Sequence, residues 1–363
     1  MKSSLHLAVA CLFVMAGCGD DKPNKVDGPV SKLASPATTI TLKSAQYVGR
    51  ESCLECHAEQ AKLWQDSHHD LAMAEVNNDT VLGDFNNATF THAGITSTFT
   101  HKGGKYFVKT EGMDGQLQEF EIKYTFGAIP LQQYLIVFPD GRYQTLGIAW
   151  DSRLKEQGGQ RWFHLYPEHP PKPGKSLHWT GIDQVWNYQC AECHSTNLQK
   201  NYDAENDRYA TTWSEINVSC EACHGPASNH LLWANKEAGW EQIPDMGLVA
   251  RLNERKDVAW VIDPQTGIAR RNKPLTHRIE VETCARCHSR RGIFSEDYQF
   301  GRPILDTHNV SLLRDGLYYP DGQIRDEVYV YGSFLQSKMY HAGVTCSDCH
   351  EPHSLKLRAE GNG

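Results

Sequence analysis

Five copies of Cys-x-x-Cys-His punctuate this chain: Cys53-Leu-Glu-Cys56-His57, Cys190-Ala-Glu-Cys193-His194, Cys220-Glu-Ala-Cys223-His224, Cys284-Ala-Arg-Cys287-His288 and Cys346-Ser-Asp-Cys349-His350. They use ten of the twelve cysteines. With 12 Cys and 18 His in 363 residues, random placement gives roughly 0.02 such motifs. The pattern is the attachment sequence of c-type haem, in which both thiols form thioethers to the porphyrin and the adjacent histidine takes one axial position on iron. Zinc sites would not place a histidine directly after every cysteine pair. Five covalent haems are therefore expected, with His57, His194, His224, His288 and His350 as iron ligands.

This sets the fold class. Hydrophobic residues make up 40% of the chain and mean hydropathy is −0.54, low for a conventional core of this size. Macrocycles supply the missing buried apolar surface. The expectation is an α+β protein with a haem core of short helices and loops. The formal net charge is −8, and each bis-histidine ferric haem adds about −1. Nucleic acid is excluded as a partner on this charge, and a redox protein fits.

The two remaining cysteines, Cys11 and Cys18, lie near the N-terminus. Lys2, the apolar run Leu12-Phe-Val-Met15 and the small residues before Cys18 read as a secretory signal, too short for an ordinary membrane span. Met15-Ala-Gly-Cys18 resembles a bacterial lipobox, which makes Cys18 a lipid anchor. Residues 19–45 read as a flexible tether rich in Asp, Lys, Pro, Ser and Thr. Export to the periplasm or outer envelope suits haem attachment, which takes place outside the bacterial cytoplasm.

The gap between the first two motifs is much the longest, and its pattern changes to strand-like alternation. Ile95–Phe99 and Tyr106–Lys109 flank Gly103-Gly104, while Leu135–Phe138 and Tyr143–Leu146 flank Pro139-Asp-Gly141. These are hairpin signals. The domain reading is a first haem segment at 46–85, a β-rich insertion of four to six strands within 86–165, and a haem domain carrying haems two to five at 166–363. Ala58–Met73 has helical composition without Gly or Pro, and Gly316–Tyr331 offers another hairpin turning at Asp321-Gly322.

Iron coordination is completed by other histidines. A second imidazole makes a low-spin haem suited to electron transfer, and an open sixth position permits chemistry. His69, His230, His341 and His353 are the distal candidates. His353 lies too close to His350 to reach the opposite face of the same haem, so it would serve another. His277 and His178 stay open as alternatives. His92, His101, His164, His169 and His308 read as ordinary packing or surface residues. Arg286, Arg290 and Arg291 read either as partners for haem propionates or as an exposed basic patch.

Three segments carry a family resemblance: Trp64-x-x-Ser67-x-His69-x-x-Ala72, Cys220-Glu-x-Cys223-His224-Gly-Pro-x-Ser-x-His230, and His341-x-Gly-Val-x-Cys346-x-x-Cys349-His350-x-Pro-His353-Ser. The chain resembles the cytochrome c-554 family of bacterial multihaem cytochromes. Tyr124–Tyr134 and His178–Cys190 resemble a subgroup with a β insertion. The resemblance covers about residues 47–356 and implies stacked haem pairs. It also nominates His69, His230, His341 and His353 as distal ligands. Members with this layout often continue into further haem motifs, so ending at Gly363 suits a C-terminally shortened member.

Two functions follow from these readings. The leading one is electron transfer among closely spaced haems, with other cytochromes or quinol-linked donors as partners. The alternative is a multihaem oxidoreductase acting on a small nitrogen or sulfur oxyanion at a five-coordinate haem. No Gly-x-Ser-x-Gly or His-Glu-x-x-His motif supports another enzyme class.

Overall fold

A computed structural model describes residues 43–361. The expected signal, with Cys11 and Cys18, and tether residues 19–42 lie outside the described residues. Among the described residues no helix is long and apolar enough to cross a membrane.

The first motif begins in a short helix, α1 (Glu51–Leu54), followed by α2 (Ala58–Trp64). The helix expected through Met73 stops at Trp64. Asp66 takes a positive φ of 60°, and its N–H donates to the Asp70 carboxylate at 2.9 Å. Asp66 thus forms a local turn that competes with helix. Chain reversal there carries His69 away from the α2 axis.

An antiparallel nine-stranded sheet follows: β1 (Met73–Glu75), β2 (Asn86–His92), β3 (Ile95–Lys102), β4 (Lys105–Glu111), β5 (Leu117–Phe126), β6 (Leu131–Val137), β7 (Tyr143–Thr145), β8 (Ile148–Asp151) and β9 (Arg161–His164). The main path runs β2-β3-β4-β5-β6-β8-β9, with β1 on β5 and β7 on β6. Gly103 and Gly104, at φ 60° and 73°, form the two-residue turn between paired Lys102 and Lys105. Positive φ at both positions matches the right-handed twist of the strands. Along β4, Tyr106, Val108 and Thr110 are buried while Lys105 and Lys109 are exposed, the period of two expected of a half-buried strand.

The sheet has more strands than the alternation indicates. β8 is buried at every position, so it shows no period, and β1 is only three residues long. β1 extends β5 where β4 ends, pairing Met73 with Phe126. At 316–331 the expected hairpin reduces to a turn at Gly322, φ 86°, with one bridge between Tyr318 and Ile324.

The sheet curls until Phe99 of β3 lies on Trp162 of β9, centroids 3.6 Å apart and planes within 5°. Phe85, Val108, Ile122, Tyr134, Ile136 and Trp150 fill the same core. Leu135, between Tyr134 and Ile136 on β6, packs on the opposite face with Met73, Trp186 and Ala191. That second face seats the second attachment motif.

The remaining helices are short: α3 (Trp186–Gln189), α4 (Ala191–His194), α5 (Cys220–His224), α6 (Ser228–Ala234), α7 (Ile279–Ala285), α8 (Tyr331–Gln336), α9 (Lys338–His341) and α10 (Cys346–Cys349). Fully buried Asn187 of α3 bonds to the hairpin turn before β7. Its carbonyl accepts from Tyr143 N–H at 2.7 Å, and its amide donates to Gly141 O at 3.1 Å. Gly141 has φ 82° and meets the Tyr209 carbonyl so closely that a Cβ would collide with it.

Phe99 has no exposed surface. Phe99→Ala is expected to cost about 3–5 kcal/mol, measured by denaturant unfolding followed through far-UV circular dichroism.

Candidate haem centres

Isolated helices of four or five residues do not hold together, because each turn fixes several dihedrals for one hydrogen bond. Buried carboxylates fasten these turns instead. Glu221, inside the third motif and only 1% exposed, accepts N–H bonds from Val48 at 3.0 Å, Gly49 at 2.9 Å and Ala227 at 3.0 Å. The approach to the first motif is thereby held against the third. Glu280 plays the same part for the fifth motif, accepting from Thr345 Oγ1 at 2.9 Å, Ser347 N at 2.6 Å and Ser347 Oγ at 2.9 Å. Asp348 caps α10 through Thr345 N at 3.0 Å and accepts from Trp260 Nε1 at 3.1 Å.

Glu192, inside the second motif, faces Arg291 at 2.8 Å, Arg286 at 3.4 Å and His308 Nε2 at 3.1 Å. Burial pushes its carboxyl pKa up, but the His308 hydrogen bond and the two guanidinium groups outweigh that and hold it at about 2. Arg286 and Arg291 thus pair with a protein carboxylate, while Arg290 pairs with Asp326 at 3.1 Å. The acidic positions inside the motifs were the available signal for these anchors, and motif spacing alone passes over them.

Thiols from different motifs lie close enough to act on one another: Cys53 and Cys220, Cys193 and Cys287, and Cys284 and Cys346. Cys223 lies near enough to act electrostatically on Cys284 and Cys287. Burial raises the Cys190 thiol to about 12 and the Cys223 thiol to about 11. All ten motif cysteines are free of disulfides.

The histidines pair across the chain as well. An imidazole nitrogen sits about 2.0–2.1 Å from a bound metal, so two trans imidazoles on one metal have centroids roughly 6.3 Å apart. The His57 and His230 centroids are 6.2 Å apart, and those of His69 and His288 are 6.3 Å apart. His224 is lowered to about 4, by burial first and then by His353, His57 and His230, which places His353 in its surroundings. His69 is held by hydrogen bonds between its segment and the one leading into the third motif. Val218 N–H donates to His69 O at 3.2 Å, and Asn217 donates to Asp70 O at 3.0 Å.

The ring nitrogen away from the metal decides whether a histidine can ligate through Nε2. His230 Nδ1 donates to Met246 O at 2.8 Å, His353 Nδ1 to Glu351 at 3.0 Å, and His277 Nδ1 to Glu254 at 3.1 Å. Each of these leaves an Nε2 lone pair free. His178 Nδ1 instead meets the Thr180 hydroxyl at 2.8 Å and Thr180 N–H at 3.3 Å; with both donating, the proton sits on Nε2, which does not suit a ligand. His341 is exposed at the end of α9, its ring 5.6 Å from Tyr340. The structure does not pair it with a motif histidine.

The profile of the family described as cytochrome c554 and c-prime matches residues 52–97 and 164–225. The two matched stretches together cover under a third of the chain, which is similar to that family over them. Among solved structures, the outer cell wall cytochrome OcwA aligns with a TM-score of 0.49 and 18% identity. The alignment covers 87% of this cytochrome and 59% of OcwA, so the chain spans little more than half of that protein's length. No curated protein matches the chain.

The donor set suits the cofactor: paired thiols for thioethers, an adjacent imidazole, and imidazole pairs at the spacing of trans ligands. Glu221→Ala would leave three backbone donors without their charged acceptor. It is expected to cost about 3 kcal/mol, with Glu221→Gln costing less, as measured by chemical denaturation of the holo-cytochrome.

Proposed function

We propose that this cytochrome carries five haems and passes electrons along them as one connected chain. The supporting observation is the set of thiol contacts. Cys53–Cys220 joins the first and third sites, Cys193–Cys287 the second and fourth, and Cys284–Cys346 the fourth and fifth. The proximity of Cys223 to Cys284 and Cys287 bridges the third to the fourth. Every attachment site then has a neighbour, and the fourth is the junction.

In this reading Cys53, Cys56, Cys190, Cys193, Cys220, Cys223, Cys284, Cys287, Cys346 and Cys349 carry the thioethers. His57, His194, His224, His288 and His350 are the proximal ligands. His230 shares an iron with His57, His69 with His288, and His353 with His224. Ring separations support the first two pairings, the Nδ1 partners support His230 and His353 as ligands, and the nearness of His353 to His224 supports the third. His341 and His277 are the candidates for the two irons left, those of His194 and His350. Bis-imidazole coordination keeps ferric and ferrous iron low-spin and six-coordinate, which suits electron transfer with little rearrangement.

The domain reading is kept: a first haem segment at 46–85, a β-rich insertion at 86–165 and a haem domain at 166–363. Lipid attachment at Cys18 would hold the cytochrome on the bacterial envelope, in the periplasm or at the outer membrane, where other cytochromes or quinol-linked donors are its partners.

A haem-quantifying pyridine haemochromogen assay on purified protein is expected to return five haems per chain. Fewer than five would remove the corresponding site from the chain. His230→Ala and His69→Ala are each expected to convert one haem from low-spin to high-spin in low-temperature EPR, leaving haem content unchanged. A spectrum unaltered by either substitution would refute that pairing.

A further inference from the structure

The curled sheet encloses a second site, away from the attachment motifs. A cavity of about 290 Å³ opens between β2, β3, β9 and the loop 170–179. That volume is roughly ten times the share of a water molecule in the liquid, enough for a single six-membered ring with substituents. Its walls include Phe90, Leu146 and Trp179. The Trp179 indole is buried and fixed by an Nε1–H bond to Glu111 O at 2.7 Å.

Three histidines and one carboxylate line this apolar chamber: His92, His164, His178 and Glu111. None of the four belongs to a motif. His92 and His164 lie 4.8 Å apart with planes at 22°, and His92 Nε2 is buried without a hydrogen-bond partner. A buried polar atom of this kind costs about 1–3 kcal/mol unless something satisfies it.

Backbone N–H groups, which can only donate, set the protonation pattern. Tyr166 N–H donates to His164 Nδ1 at 3.0 Å, and Thr180 N–H donates to His178 Nδ1 at 3.3 Å. In neutral His164 the proton then sits on Nε2; His178 Nδ1 also meets the Thr180 hydroxyl at 2.8 Å, and with that hydroxyl donating as well the proton of His178 sits on Nε2 too. Burial lowers the pKa of both rings, with His92 adding to the effect at His164, so the rings are neutral donors. An Nε2 that carries a proton cannot ligate a metal. Among the described residues, no group of His, Cys, Asp and Glu has the geometry of a metal site.

Glu111 Oε2 lies 4.0 Å from His178 Nε2, beyond a hydrogen bond, so both have capacity for a third party between them. The occupant must accept from imidazole N–H groups, donate to a carboxylate and place a flat apolar body against Phe90 and Trp179. A hydroxyl on an aromatic ring does all three. A carboxylate would meet Glu111 unfavourably, with exposed Lys172 the one cation among the lining residues to offset it, and a sugar would strand most of its hydroxyls against apolar walls.

We infer that this cavity is a binding site for a small hydroxylated aromatic molecule, a phenol in its simplest form. The ring would lie against Trp179 and Phe90. The hydroxyl would accept from His164 or His178 and donate to Glu111. This site is independent of the haem assignments above.

Isothermal titration calorimetry of the oxidised holo-cytochrome with 4-methylphenol tests the inference, with toluene, 4-methylbenzoate, glucose and Zn²⁺ as comparison ligands. One saturable site for 4-methylphenol is expected. Toluene and 4-methylbenzoate should bind at least several-fold more weakly, and glucose and Zn²⁺ should show no site that responds to substitution in the cavity. His164→Phe and His178→Phe should each weaken 4-methylphenol binding about tenfold, the equivalent of one lost hydrogen bond of about 1.4 kcal/mol. Absence of saturable 4-methylphenol binding overturns the inference, as does toluene binding equally tightly. Zinc or glucose bound once per chain and lost in His164→Phe overturns it too. Should a variant fail to fold, the ligand series on the wild-type protein decides the question alone.

Discussion

One buried carboxylate, Glu221, sets the position of much of the haem region. It collects the N–H groups of Val48, Gly49 and Ala227, from segments far apart in sequence. A buried charge is tolerated only when nearly every lone pair is engaged. Small displacements of the first motif relative to the third therefore cost far more than the bending of a flexible loop would suggest. Glu192, Glu280 and Asp348 repeat the device at the second and fifth motifs, using Arg291, Ser347 and Thr345 as partners. The attachment turns are too short for helical cooperativity, so their alignment is delegated to these anchors. This is why thiols from different motifs lie close together.

The β-sheet contributes by having two different faces. Alternation along β6 sends Tyr134 and Ile136 into the aromatic core of the curl and Leu135 to the opposite side, against Trp186 and Ala191. The second motif is thus seated on a surface whose position is set by a core it does not share. Asn187 strengthens the seat by bonding to the turn before β7 and to Thr211 Oγ1 at 2.8 Å. A helix as short as α3 gains from this an orientation its own hydrogen bonds could not supply.

Much of this was legible in the sequence wherever the deciding chemistry is local. The haem sites are legible because thioether formation and proximal ligation need five consecutive residues. The β3–β4 hairpin is legible because Gly103-Gly104 meets the torsional demand of a two-residue turn. β8 was not, since a strand buried at every position loses its alternation, and α2 ran shorter than its composition implied because Asp66 and Asp70 form a competing turn. The partnership of His69 with His288 depends on segments brought together through Val218 and Asn217, and no local pattern encodes it. Glu192, Glu221 and Asp348 stand in plain view inside the motifs and Glu280 just before the fourth, yet their role is visible only when the donors arrive from elsewhere.

The histidines make the same point at the level of a single proton. By composition His230, His277, His164 and His178 are alike, and spacing separates them poorly. What separates them is the group facing Nδ1. A carbonyl or carboxylate there, as for His230 and His277, fixes the proton on Nδ1 and leaves Nε2 as a lone pair suited to iron. A backbone N–H there, as for His164 and His178, does the reverse and turns Nε2 into a hydrogen-bond donor. The fold thus sorts one residue type into rings with a free Nε2 lone pair and rings whose Nε2 carries the proton, without changing their charge. A neutral imidazole has one proton and two nitrogens, so a ring used as a donor at Nε2 cannot also ligate there. The proposed iron ligands and the histidines of the chamber inside the sheet are consequently separate sets.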